Sequence, residues 1–285
     1  MTVFYRLIVF LALLMPLKLR VSLYYFYKHR QLINFQEPKK YTEKLQVRKL
    51  NMLEKYSELS DKYFVRKTVE DIVGSEYLIP LLGVYNSFDE IEFDNLPDSF
   101  VIKTNFGSGE EHLEIVKNKA VINIAKLQWK FNKAMRSSYK GSILGETQYD
   151  LIPRKLIIEE LIENGGNDIE DFKFHIFNCN EGFLQIDFDR FSSHKRNLYT
   201  LDYRRLDYDL MYKGGDYDLP SELNLNRLKA IALELAKEFD YVRVDLYLVE
   251  DRIYFGEMTF TPGNGFEAFS SIEADISYGQ LWEQG

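Results

Sequence analysis

Asp245 and Glu257 stand in two successive strand-like runs, Arg243-Val244-Asp245-Leu246-Tyr247 and Phe255-Gly256-Glu257-Met258-Thr259-Phe260-Thr261-Pro262-Gly263. If Glu250-Asp251-Arg252 closes a hairpin between them, Asp245 falls opposite Glu257 and Arg243 opposite Thr259, all on one sheet face. Facing carboxylates repel. A divalent cation between them would turn the repulsion into coordination, and hard oxygen ligands suit magnesium held together with nucleotide phosphates. A shorter or longer turn would shift the register and return both acids to an ordinary solvated face.

Other residues have chemistry of the same kind. Lys103 ends the apolar run Phe100-Val101-Ile102-Lys103 and is followed by Gly107, Ser108 and Gly109. Such a loop can bring backbone N–H groups up to a phosphate that the ammonium neutralises. It can equally be a plain glycine turn, and Glu110 and Glu111 just after it have the wrong sign for phosphate. Glu159, Glu160, Leu161 and Ile162 end a strand-like run from Leu156, able to flank a flat base or to form a solvated edge. Asp171 and Lys173 share a strand face, where they either pair with each other or hold a ribose hydroxyl and a phosphate. Asp187 and Asp189 share a face one strand later. Arg190, His194, Lys195 and Arg196 then read as a basic loop, suited to an anionic substrate or simply to water.

The elements that must position these residues follow from periodicity. Val65, Val69, Ile72 and Val73 mark a helix face between a cap at Ser60 or Asp61 and a stop at Gly74. Leu82 to Tyr85 reads as a buried strand, Asn123 to Arg136 and Leu225 to Phe239 as helices, and Leu156 to Ile162, Phe172 to Phe177 and Phe183 to Phe188 as strands. A helical and α/β amino-terminal part thus precedes an antiparallel α+β part. At 285 residues, 46% hydrophobic, the chain can bury the core of one large domain or two lobes.

Charge divides the chain. Residues 1–50 hold ten Lys/Arg against two acids, and the remaining residues 26 against 42. So acidic a body argues against nucleic acid as the partner. Cys179, the single cysteine, excludes an internal disulfide or thiolate cluster, reads as a buried filler, and suits a reducing, cytoplasmic compartment. Leu7 to Leu17 is an uncharged run of eleven residues, against the roughly twenty that a spanning helix needs. Met15-Pro16-Leu17-Lys18 offers no small-residue cleavage site. With Tyr24 to Tyr27 and then Lys28, His29 and Arg30, the segment reads as a peripheral anchor on the inner membrane face, or as a helix packed on its own body.

Together these blocks resemble the ATP-grasp superfamily, and within it the TupA-like branch named for teichuronopeptide biosynthesis and found in polysaccharide gene clusters. The likeness runs from about Pro38 onward. It is carried by Tyr41-Thr42-Glu43-Lys44-Leu45-Gln46, Asp61-Lys62-Tyr63-Phe64-Val65-Arg66, Tyr77 to Tyr85, Lys103 with Gly107-Ser108-Gly109, Asp171-Phe172-Lys173-Phe174, Asp189-Arg190-Phe191 with His194, and the two acid-bearing runs. The resemblance implies an α+β ATP-grasp fold over residues 38–285, two α+β lobes holding ATP between them, after an amino-terminal helical segment 1–37. By the same likeness, Lys103 and Lys173 would hold phosphates under the loop Gly107-Ser108-Gly109. Glu159, Glu160, Leu161 and Ile162 would be the adenine hinge, and Asp171 would meet the ribose. Asp245 and Glu257 would bind magnesium beside Thr259, where many relatives have Asn, and Arg243 would stabilise the reacting phosphate. The loop bearing Arg190 and His194 would grip an anionic substrate.

The implied reaction is ATP-dependent ligation of a carboxylate to an amine through an acyl phosphate, on an anionic sugar or amino-acid carboxylate, with a lipid-linked glycan as carrier. A sugar kinase, a glycosyltransferase and a non-catalytic membrane scaffold are the alternatives.

Overall fold

The computed structural model describes residues 12–165, 169–189 and 193–283. In chain order the regular elements are α1 (Leu17–His29), α2 (Tyr41–Leu50), α3 (Glu54–Ser60), α4 (Val65–Ile72), β1 (Leu81–Tyr85), β2 (Phe100–Thr104), β3 (Leu113–Val116), α5 (Ile124–Arg136) and β4 (Leu156–Glu160). There follow β5 (Asp171–Phe177), β6 (Glu181–Phe188), β7 (Lys195–Thr200), α6 (Glu222–Ala236), β8 (Tyr241–Val249), β9 (Arg252–Thr259) and α7 (Ile272–Leu281). They divide into two compact units, Leu53–Lys140 with Gln148–Asn167, and Met1–Met52 with Gly141–Thr147 and Asp168–Gly285.

The smaller unit holds a four-stranded sheet in the order β1-β4-β2-β3. Every pairing in it is antiparallel, so the α/β reading of this part is corrected to α+β. No helical crossover joins neighbouring strands here; β2 and β3 are joined directly through the loop 105–112. Asn123 caps α5 through its side-chain oxygen, which accepts from Lys126 N at 3.0 Å. Leu127 and Phe131 of α5 pack on Phe100, Ile102, Leu156 and Ile158. Strand β1 is half-buried rather than buried throughout, as befits an edge.

The larger unit is built on a five-stranded antiparallel sheet, β7-β6-β5-β8-β9. Helix α6 packs on β5 and β8. On the opposite face α2 and α7 cover an aromatic half, where Phe177, Phe183 and Tyr241 meet Tyr41, Tyr278 and Trp282. The other half of that face is polar. Cys179 is an exposed turn residue at φ 74°, not a buried filler, because the β5–β6 connection needs left-handed backbone at both Asn178 and Cys179.

The hairpin β8–β9 reaches the anticipated register by an unanticipated route. Its turn has two residues, Glu250 and Asp251, at φ 48° and 64°, with Val249 opposite Arg252. Asn224 Nδ2 donates to Asp251 Oδ1 at 2.5 Å and Arg227 Nη1 to Asp251 O at 2.9 Å, so α6 holds this tight turn shut. Such a turn alone would set Asp245 opposite residue 256. A bulge between Asp245 and Leu246 adds Gly256 as an extra residue and brings Glu257 opposite Asp245. A Cβ on Gly256 would lie 3.0 Å from Asp245 O and 3.1 Å from the Tyr247 ring. Gly256→Val is expected to lose about 1–3 kcal/mol in urea unfolding; an unchanged midpoint would show that the bulge is not tightly held.

Candidate active site

The polar half of the larger sheet is assembled by register. Asp171 lies opposite Asp187, Lys173 is flanked by Gln185 and Asp245, and Asp245 faces Glu257 while Arg243 faces Thr259. Strand alternation puts these side chains on one face, shared with His175 at its border with the aromatic half. Lys173 Nζ sits 2.9 Å from Asp171 Oδ2 and 2.8 Å from Asp245 Oδ2. Burial works against the Lys173 ammonium, but these two carboxylates outweigh it and hold its proton more firmly than usual. His175 is buried and neutral, its pKa driven well down by desolvation and by Arg243. Its ring stacks on Phe183 and is fixed between Tyr241 Oη at 2.9 Å and Gln185 Oε1 at 3.1 Å.

Arg243 joins the two facing acids. Its Nε is 2.6 Å from Asp245 Oδ1, and its Nη2 reaches Asp245 Oδ2 at 2.8 Å, Glu257 Oε1 at 3.0 Å and Thr259 Oγ1 at 3.2 Å. The hydroxyl of Thr259 donates to Glu257 Oε1 at 3.0 Å. Thus both carboxylates and the hydroxyl converge on one positive group, the geometry a shared cation needs. The donor set is all hard oxygen, which fits magnesium. Asp171, Asp187, Asp245, Glu257 and Glu267 outnumber Lys173, Arg196 and Arg243 by two charges, as many as one divalent ion carries. Among the described residues no three His, Cys, Asp or Glu side chains gather as a metal site. Two protein carboxylates with phosphate and water are the usual magnesium arrangement.

The basic loop is corrected. Arg190 lies outside the described residues, and Lys195 and Arg196 belong to β7, because Arg196 pairs across the ladder with Asp187. The Arg196 guanidinium bonds Asp187 Oδ1 through Nε at 2.6 Å and Glu267 Oε2 through Nη1 at 3.0 Å. It is therefore committed within the protein. Burial would raise the Asp187 carboxyl, yet Arg196 overrides burial and holds it far below the usual range. His194 Nε2 lies 3.3 Å from Asp187 Oδ1, off hydrogen-bonding geometry, with its ring 3.9 Å from that of Tyr212.

In the smaller unit, Lys103 and Glu159 meet as an ion pair at 2.5 Å, and Arg66 reaches the other Glu159 oxygen at 3.1 Å. Glu159 thus turns its carboxylate to two cations, while Glu160 at the strand end is exposed and Leu161 and Ile162 are half-buried beyond it. The loop after Lys103 has left-handed glycines, Gly107 at φ 73° and Gly109 at φ 87°. Gly107 O accepts from Lys62 Nζ at 2.7 Å, and Ser108 Oγ meets Tyr139 Oη at 3.1 Å.

Sequence reading missed the clamp on the loop after Glu257. Asn264 donates to Glu146 Oε2 at 3.0 Å, and its carbonyl accepts from Lys49 Nζ at 2.7 Å. Thr261 donates to Glu146 Oε1 at 2.7 Å and Gln46 to Gly265 O at 2.6 Å. Burial pushes the Lys49 ammonium down and the Glu146 carboxyl up, each restrained by the other. No local pattern betrays Glu146; the block Tyr41 to Gln46 hinted at α2 but not at the loop it holds.

Two antiparallel sheets flanked by helices, one bearing paired acids and cations, define an α+β protein. A family model described as TupA-like ATPgrasp matches residues 43–283, and the chain belongs to that family. None of the curated proteins compared matches it. Among solved structures it is similar to a D-alanine–D-alanine ligase from Bacillus anthracis, at 18% identity over 73% of this chain and 59% of that one, TM-score 0.42. The corresponding ligase from Helicobacter pylori gives 13%, 79%, 61% and 0.43. A biotin carboxylase–beta-gamma-ATP complex from Campylobacter jejuni gives 12%, 87%, 53% and 0.45. The chain spans less than two thirds of the length of each.

Proposed function

We propose that the protein is an ATP-dependent carboxylate–amine ligase whose acceptor is a uronic-acid sugar, or an amino acid, of a cell-surface polysaccharide precursor carried on lipid. The observation that carries the chemistry is the convergence of Asp245, Glu257 and Thr259 on the Arg243 guanidinium, with Lys173 beside them. Membership of the TupA-like ATP-grasp family supports the same reading. ATP bound with magnesium supplies the γ-phosphoryl group that converts a carboxylate to an acyl phosphate, which an amine then captures with loss of phosphate and a proton.

In this reading Asp245 and Glu257 hold the metal. Lys173 and Arg243 neutralise charge spreading over phosphate oxygens; Lys173 is held in place beforehand by its ion pairs, whereas Arg243 would give up Asp245 and Glu257 to the metal and turn to phosphate. Lys103 is assigned to phosphate, Glu160 to Ile162 to the base and Asp171 to the ribose, by likeness to the family. Glu159, by the same likeness, serves the hinge through its backbone while its carboxylate holds Lys103. His194 is the described residue assigned to the anionic acceptor.

Calorimetry tests this. ATP is expected to bind with magnesium and, in Glu257→Gln, to lose about tenfold to a hundredfold in affinity only when magnesium is present. ADP release should then require both a carboxylate and an amine. A phosphorylated sugar would instead mark a kinase, consumption of sugar nucleotide without ATP a glycosyltransferase, and no ATP binding at millimolar concentration would exclude ligase and kinase together.

A further inference from the structure

Helix α1 is apolar on two opposite sides. Val21 and Tyr25 are fully buried against Phe266, with Leu17, Ile33 and Phe35 around them, and Tyr25 Oη lies 2.9 Å from Thr42 Oγ1. Opposite them Leu19, Leu23, Phe26 and Tyr27, at helical spacing, are 46%, 53%, 47% and 61% exposed. A helix that packs by one side only normally carries polar residues on the other. Here the outer stripe continues past both helix ends to Leu13, Leu14 and Leu32, all more than half exposed. Arg30 lies over the Tyr27 ring at 5.5 Å, the exposed Lys18 and Lys28 project from the helix nearer Phe35 and Tyr24, and residues 12–36 contain no acid at all.

We propose that this outer face binds the surface of an anionic lipid bilayer, with α1 lying in the interface. An exposed apolar and aromatic stripe on a helix that carries cations and no acids matches a layer of acyl chains under negative headgroups. Among the described residues no helix is long and apolar enough to cross a membrane. The inner face explains why docking need not pull the helix away: Tyr24 meets Phe266 edge-on at 4.7 Å, and Phe266 ends the loop that follows Thr259. The bilayer would then lie one side chain away from the clamped loop. The inference concerns binding and does not depend on the reaction assigned above.

The test is flotation of the full chain with vesicles of phosphatidylcholine, alone or mixed with phosphatidylglycerol, in low and high salt. Binding is expected to the mixed vesicles, weakened by salt. Reversal of Lys18, Lys28 and Arg30 to Glu should lower partitioning roughly a hundredfold. Leu19→Asn, Leu23→Asn and Phe26→Asn combined should lose it while leaving the unfolding midpoint in place, since Val21 and Tyr25 are untouched. Absence of binding to the mixed vesicles, or binding that ignores charge reversal, overturns the proposal. So does a dimer in solution that the triple Asn variant disperses, which would mean a second copy covers the face. Loss of binding on removing residues 1–11, with the triple Asn variant still bound, would overturn it too.

Discussion

Asp245→Asn is expected to lower ATP-dependent product formation about a thousandfold or more while the protein still folds. Asparagine keeps the shape of the side chain and removes its charge, so Arg243 loses its forked partner and Lys173 one of its two carboxylates. Those cations are buried, and breaking a buried pair from one side costs about 3–5 kcal/mol, with the remaining acids Asp171 and Glu257 holding the loss near the lower end. The side chain of Glu257 is 32% exposed, and Glu257→Gln should shift stability by less than about 1 kcal/mol for a comparable loss of turnover. ADP release and urea unfolding on both variants separate the two effects. Full turnover in either variant would remove the proposed metal site.

Arg196→Met is expected to be among the most destabilising single changes in the larger sheet, about 3–5 kcal/mol by urea unfolding. Two acids depend on this guanidinium, Asp187, whose side chain is 3% exposed, and Glu267. Without it Asp187 retains Gln185, Lys173 and the nearby His194, and burial pushes its carboxyl upward with less to oppose it. Arg196→Lys should recover only part of the loss, because an ammonium cannot serve Asp187 and Glu267 with the same planar fork. The double variant Arg196→Met with Asp187→Leu should be more stable than Arg196→Met alone, since only the part-exposed Glu267 then lacks its cation. If the two substitutions simply add, the pair is not the source of the stability.

How far such sites are legible from sequence depends on what defines them. Alternation of period two displayed Asp171 with Lys173, Arg243 with Asp245 and Glu257 with Thr259, because residues sharing a strand face need no tertiary information to be found. The facing of Asp245 and Glu257 was legible although the turn was not. A three-residue turn and a two-residue turn plus a bulge give the same register, and the second depends on α6 gripping Asp251, a contact 24 or more residues away in the chain. Strand β7 was hidden by its charges: Lys195 and Arg196 look like a loop until Asp187 is placed opposite. Helix α7 was hidden by Gly279, whose missing Cβ makes room for the Lys39 carbonyl, 2.1 Å from where a Cβ would sit. Glu146 and Glu267 reach their partners through loops, with no periodicity to announce them.

The bulge at Gly256 also separates two design problems that a plain hairpin would tie together. In a flush hairpin every change of loop length slides one strand past the other, so the tip and the two acids could not vary independently. Here one spare residue sits between them. A chain with a three-residue tip and no residue at 256 would present Asp245 to Glu257 in the same way. Length is therefore exchangeable between tip and bulge, and relatives of this chain are free to lose or gain a residue at one place provided the other compensates.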